Sequence, residues 1–135
     1  MNEFIWPVRV YYEDTDSGGV VYYANYLKFM ERARTEWLRD RGFEQDQLIE
    51  QEGIIFAVRH VDADFLRPAR FNDPLLVSAR ISEHGRASMT FAQEVRHAGS
   101  GQVLCRGEVK VACLDSSRFR PCPIPQRLLA ELTAE

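Results

Sequence analysis

The sequence predicts an α+β domain, an antiparallel sheet of five strands packed on one long helix in the order β-α-β-β-β-β. Three observations lead there. Near the N-terminus one long segment repeats its apolar residues at helical three- and four-residue steps. After Gly53 the apolar residues alternate instead with a period of two, as they do in strands. Short turns, EHGR at 83–86 and AGSG at 98–101, separate the later runs, and consecutive runs of strands give an antiparallel sheet with its helix on one face.

Val8, Val10 and Tyr12 alternate with Arg9, Tyr11 and Glu13, so the first strand is expected to end near Glu13. The residues DTDSGG, 14–19, then stop the strand and shape a turn with an acidic lining, in which glycine lets backbone approach a ligand closely. From Asn25 the residues Tyr26, Phe29, Met30, Ala33, Trp37 and Leu38 mark the buried stripe of the long helix. Asn25 is placed as its N-cap and Gly42 as the left-handed residue that ends it. A short second helix is expected over 44–51.

In the strand expected over 54–65, Ile55, Ala57, Val61, Ala63 and Phe65 share one parity. Ile54, Phe56 and Val58 on the other parity place its start either centrally or at a subunit contact. RPARFNDP, residues 67–74, reads as a connection. The remaining strands carry Leu75, Val77, Ala79 and Ile81; then Ala87, Met89, Phe91, Gln93 and Val95; then Val103, Cys105, Gly107, Val109, Val111 and Cys113, with a bulge expected at Gly107. Past Leu114 the chain is irregular until a short helix expected over 124–132.

The chain's 135 residues make one domain, spanning 1–135, with too little length for two cores. Its hydrophobic fraction of 45% and charged fraction of 27% are those of a folded globular protein. A net charge of −3 gives no general attraction for nucleic acid. No apolar run reaches the ~20 residues of a membrane span, and the N-terminal MNEFIWPV lacks the basic and apolar regions of a secretory signal. The cytoplasm is the expected location. Cys105, Cys113 and Cys122 are odd in number and spaced without a metal-ligand pattern, so neither a disulfide nor a zinc site is expected.

The stretch YYEDTDSGGVVYYANYLKFMERART closely resembles the hotdog-fold acyl-CoA thioesterases of the 4-hydroxybenzoyl-CoA thioesterase type, within them the bacterial YbgC branch associated with the Tol-Pal envelope system. The element order, the PAR connection and the RFRPCPIP tail resemble that branch as well. The resemblance implies a five-stranded sheet wrapped around the long helix and hydrolysis of acyl-CoA to free acid and CoA. It implies that Asp16 is the catalytic aspartate, that the backbone N–H of Tyr23 is the oxyanion donor, and that Gly19 lets the chain turn into the helix. The branch usually has histidine where Tyr23 stands; a backbone role survives that change.

These residue types suit the chemistry. A thioester carbonyl passing to a tetrahedral intermediate gains charge on oxygen, which an N–H at a helix N-terminus stabilises preferentially. A carboxylate opposite it either attacks the carbonyl or takes a proton from attacking water. Asp14 is assigned to shaping the turn. Tyr22, Tyr23 and Tyr26 fit equally an aromatic cluster at the helix entrance and a substrate contact, and Tyr22 is assigned to substrate. Arg86, Ala87 and Ser88 match the family region that contacts the nucleotide and pantetheine, and Val58, Arg59 and His60 are expected near the pantetheine arm. Glu31, Arg32, Arg34 and Glu36 are expected on a solvated or inter-subunit charged face. No metal or redox cofactor is implied, since CoA enters as part of the substrate. Family sites lie between subunits, which predicts a homotetramer built from two dimers; the alternative is a protein with little catalysis of its own that binds an acyl carrier protein or a lipid-synthesis enzyme.

Overall fold

The computed structural model describes residues 3–134. Strand β1 (Phe4–Arg9) leads through a single 3₁₀ turn (Tyr12–Asp14) to the long helix α1 (Asn25–Asp40) and the short α2 (Gln45–Glu52). Four strands follow, β2 (Ile54–Phe65), β3 (Pro74–His84), β4 (Ser88–His97) and β5 (Val103–Asp115), and then α3 (Gln126–Thr133). Neighbouring strands pair antiparallel in the order β1-β3-β4-β5-β2. The two edges are therefore β1 and β2.

Helical spacing gathers Tyr26, Phe29, Met30, Ala33 and Trp37 on one side of α1, where all are buried, and the helix packs chiefly on β3, β1 and β4. Phe91 of β4 meets Trp37 edge-on with ring centres 6.0 Å apart, and Phe4 of β1 stacks on it at 6.3 Å. Deleting a buried aromatic of this size costs about 3–5 kcal/mol. Gly42 follows α1 at φ +89° and Gly53 follows α2 at φ +66°, left-handed positions that glycine occupies without steric cost.

Four expectations need correction. The first strand stops at Arg9, not Glu13, because the chain leaves the sheet at Val10: its N–H donates to Asp73 O and its carbonyl accepts from Asn72 N–H. Alternation persists past the strand, but it then records a turn, with Val10 fully buried and Tyr12 79% exposed. Asn25 is not the N-cap; Ala24 holds that position, and the Asn25 side chain instead donates to Asp14 O at 2.8 Å. Gly107 marks no bulge, since the register runs unbroken through it on both sides. A Cβ there would stand 3.0 Å from Asp62 O and 3.3 Å from Ala63 Cβ, so glycine serves a close approach of β2 to β5. Finally, β2 is an edge strand, which removes the central alternative for it.

Candidate active site

The turn between β1 and α1 is built from its own backbone. Asp14 is buried; its Oδ2 accepts the Tyr11 N–H at 2.8 Å, while its carbonyl accepts from Tyr22 N–H and from the Asn25 side chain. This is the turn-shaping role expected of it. Thr15 bridges to Val21, and Val20 bridges to Arg70, so the loop is clamped on both sides. The Asp16 N–H donates to Val20 O at 2.9 Å, and Gly19, at φ +76°, returns its N–H to Asp16 O.

Asp16 is exposed. One carboxylate oxygen, Oδ1, accepts the Gly18 N–H at 2.9 Å in an Asx turn, and Oδ2 has no partner among the described residues. A Cβ on Gly18 would lie 3.3 Å from Oδ1. The side chain is thus aimed by one hydrogen bond and keeps one oxygen available.

At the entrance of α1 the N–H groups of Tyr22, Asn25, Tyr26 and Leu27 all find acceptors. Those of Tyr23 and Ala24 have none among the described residues. Two unpaired donors at the positive end of a 16-residue helix are a place where negative charge is stabilised. The Tyr26 hydroxyl, which burial pushes to a raised pKa, accepts the Ala69 N–H at 2.9 Å. Val21 N–H also donates to Ala69 O, which ties the PAR connection to the helix start.

Tyr22 and Tyr23 pack at 4.8 Å between ring centres, and Phe65 joins them, 5.7 Å from Tyr23 and 5.8 Å from Tyr26. Phe65 was not legible as a site residue; its signal was only its place at the end of a strand. Beyond this cluster a cleft of about 550 Å³ runs between α1 and β2, lined by Leu27, Glu31, Arg34, Val58, Val61 and Val109 among others. Val58 therefore faces the cleft, while Arg59 and His60 are exposed at a register shift in the middle of β2.

The structure does not bring Arg86, Ala87 and Ser88 to Asp16. Ser88 pairs with Ala112, whereas Phe65, beside Tyr23, pairs with Cys105. From 105 to 112 is seven residues of β5, about 23 Å of strand. Arg86 has other company that the irregular tail concealed: its carbonyl accepts from Ile124 N–H, and Asp115 N–H donates to Arg120 O. Arg86, Arg118 and Arg120 are exposed, and none has a carboxylate within ion-pair distance among the described residues.

The family model of the thioesterase-like superfamily matches residues 10–132, which contain the acidic turn, the helix entrance and four of the five strands. The chain belongs to this family. It is 43% identical over 129 residues to the acyl-CoA thioesterase YbgC of Haemophilus influenzae, covering 96% of this chain and 93% of that one. The acyl-CoA thioester hydrolase YbgC of Escherichia coli is also 43% identical, over 128 residues, with 95% and 94% covered. The crystal structure of a 1,4-dihydroxy-2-naphthoyl-CoA thioesterase from Synechocystis matches with a TM-score of 0.92 at 26% identity, covering 98% of this chain and 97% of that one. The shared fold is the hotdog arrangement expected from the opening motif.

Proposed function

We propose that the protein hydrolyses acyl-CoA thioesters to free acid and CoA, with the Asp16 carboxylate as nucleophile or general base and the Tyr23 N–H as oxyanion donor. The observation that carries this reading is the pairing of an aimed carboxylate with an unpaired helix-entrance N–H on one clamped loop. Gly19 provides the bend that sets them on that loop. Tyr22, Tyr23 and Phe65 flank the thioester, and the acyl group follows α1 into the cleft faced by Val58. CoA release from a panel of acyl-CoAs, measured for wild type, Asp16→Asn and Asp16→Ala, tests it. Full turnover by folded variants would remove Asp16 from the mechanism.

The CoA phosphates need cations, and Arg86, Arg118 and Arg120 have no ion-pair partner among the described residues. In one chain they stand at the far end of the sheet. A second copy supplies them at the near end: β2 is a 12-residue edge strand without proline, and its Val58 and Phe65 are 52% and 47% exposed. Such an edge in a lone molecule is an open template for pairing. Two-fold pairing of β2 with its copy sets Phe65 beside the start of the other β2, whose neighbours are the end of β5 and the arginine turn. Arg59 and His60 then lie at the seam, near the pantetheine arm.

Arg34 supports the same arrangement. Its side chain is buried at 9% exposure, bonds Gln93 Oε1 at 2.9 Å and lies over the Phe91 ring. No carboxylate is within ion-pair distance of it among the described residues, and burial lowers its pKa to about 10 against the smaller opposing effect of Glu31 on the same helix. A cation left this way is costly. Arg34 and Glu31 line the cleft over the middle of β2, where a two-fold axis brings Glu31 of one copy to Arg34 of the other. Two such dimers form the tetramer through the outer sheet face, where Asp62, Asp64 and Glu108 stand among Arg80 and Arg106. A carrier protein presenting the same pantetheine arm would meet the same arginines.

A further inference from the structure

Cys113 and Cys122 lie nine positions apart in sequence and side by side in space, with their sulfurs 3.6 Å from each other. Both are free thiols. The backbone holds them opposite one another: Cys122 N–H donates to Cys113 O at 3.0 Å, and the adjacent Leu114 and Pro121 form an antiparallel bridge. Facing residues of an antiparallel pair have Cα atoms about 4.5–5.5 Å apart, inside the ~4.4–6.8 Å range that disulfides span. Closing from 3.6 Å to the ~2.05 Å of an S–S bond needs a side-chain adjustment and no movement of the fold.

The two thiols differ in access. Cys113 is fully buried, and burial, reinforced by Cys122, pushes its pKa up to about 12. Cys122 is only partly buried and lies on the wall of an open groove with Glu52, Pro123, Pro125 and Arg127. Cys105 is buried as well and serves as an internal reference, since among the described residues it makes no sulfur–sulfur contact.

We infer that Cys113 and Cys122 form a dithiol site that a small-molecule disulfide converts to an internal disulfide, tying the tail to β5. The Cys122 thiolate attacks one sulfur of the disulfide, forming a mixed disulfide and releasing one small thiol. Cys113 then loses its proton and attacks the Cys122 sulfur, breaking the mixed disulfide and releasing the second small thiol. Two protein thiols are oxidised and one small disulfide is reduced to two thiols. The bond would span the exposed turn with Arg118 and Arg120 and would secure α3 beyond it. Nothing in this inference depends on acyl-CoA chemistry.

Incubating the native protein with glutathione disulfide, then counting thiols after denaturation, tests it. The count is expected to fall from three to one, with a peptide joining Cys113 to Cys122 and no covalent dimer. Trypsin then nicks after Arg118, and the fragment carrying Cys122 stays attached until reductant is added. Cys122→Ser is expected to keep both of its thiols, and Cys113→Ser to stop at a glutathione adduct on Cys122. A wild-type count that stays at three, an adduct on Cys122 with Cys113 still free, or a link between chains would each overturn the inference.

Discussion

The two ends of the sheet solve different problems. At the Asp16 end the backbone is spent on itself: Asp14, Asn25, Gly19 and the bridges to Val21 and Arg70 lock a loop so that, among the described residues, one carboxylate oxygen and two N–H groups remain unpaired. At the other end the carboxylate is the internal fastener, with Asp115 Oδ1 accepting from Ser117 N–H, Ser117 Oγ–H and Arg118 N–H, and the arginines are left over. On the proposed reading, one end meets charge that develops during reaction and the other charge that a ligand already carries. About 23 Å of β5 separates them within a chain. On that proposal, a site that uses both lies between chains.

The largest effect is expected where the chemistry is assigned. Asp16→Asn should lower kcat by about 10²–10⁴, the usual worth of a positioned acid–base group, with little change in acyl-CoA binding measured by calorimetry. At the opposite end, combined Arg118→Ala and Arg120→Ala should raise KM about tenfold with kcat nearly kept. Rising salt should narrow that difference, because exposed cations are screened. If kcat falls instead, the two ends are not divided as described.

Glu31→Arg should weaken the dimer by about tenfold or more in sedimentation equilibrium, equivalent to ~1.4 kcal/mol per tenfold. The exchange Glu31→Arg with Arg34→Glu should restore part of it. The smallest effect concerns the arginine turn. The N–H of Arg118, then the Ser117 hydroxyl and N–H, hold the Asp115 carboxyl below the usual carboxylate range. A depressed folded-state pKa means that its stabilisation is present above pH ~4 and is lost as pH falls through the lower folded value. Protection of the Ser117 and Arg118 amides, measured against their intrinsic exchange rates, should fall in that acid range in wild type and should be absent at every pH in Asp115→Ala.

What was legible in the sequence is what periodicity records. The stripe from Tyr26 to Leu38, the stop at Gly42 and the alternation in β3 to β5 each follow from one chain segment meeting one core. Contacts between distant segments leave no period. Val10 to Glu13 alternate in residue type after the sheet has ended but not in burial, since Val10 is buried while Tyr11, Tyr12 and Glu13 are all exposed in the turn. Gly107 looked like a bulge because the backbone of β2 that excludes a side chain there is more than forty residues away in sequence. Gln93 fell on the buried parity, but only the fold shows that it satisfies Arg34 Nη1, Met30 O and Ser78 O together. In the site, Asp16, Gly19 and Tyr23 could be singled out together because one continuous motif carries all three; their catalytic roles belong to the proposal. Phe65, the arginine turn and the Cys113–Cys122 pair were not legible, since each depends on β5 bringing remote segments together.

The central claim is that Asp16 of one copy works with the arginines of another, and subunit complementation tests it directly. Asp16→Asn chains and Arg86→Ala/Arg118→Ala/Arg120→Ala chains are co-refolded and assayed below the wild-type KM. Half of the dimers formed are mixed, and one of the two sites in each mixed dimer is intact, so activity should recover to about a quarter of wild type. A mixture no more active than the mean of its two parents would contradict the shared site.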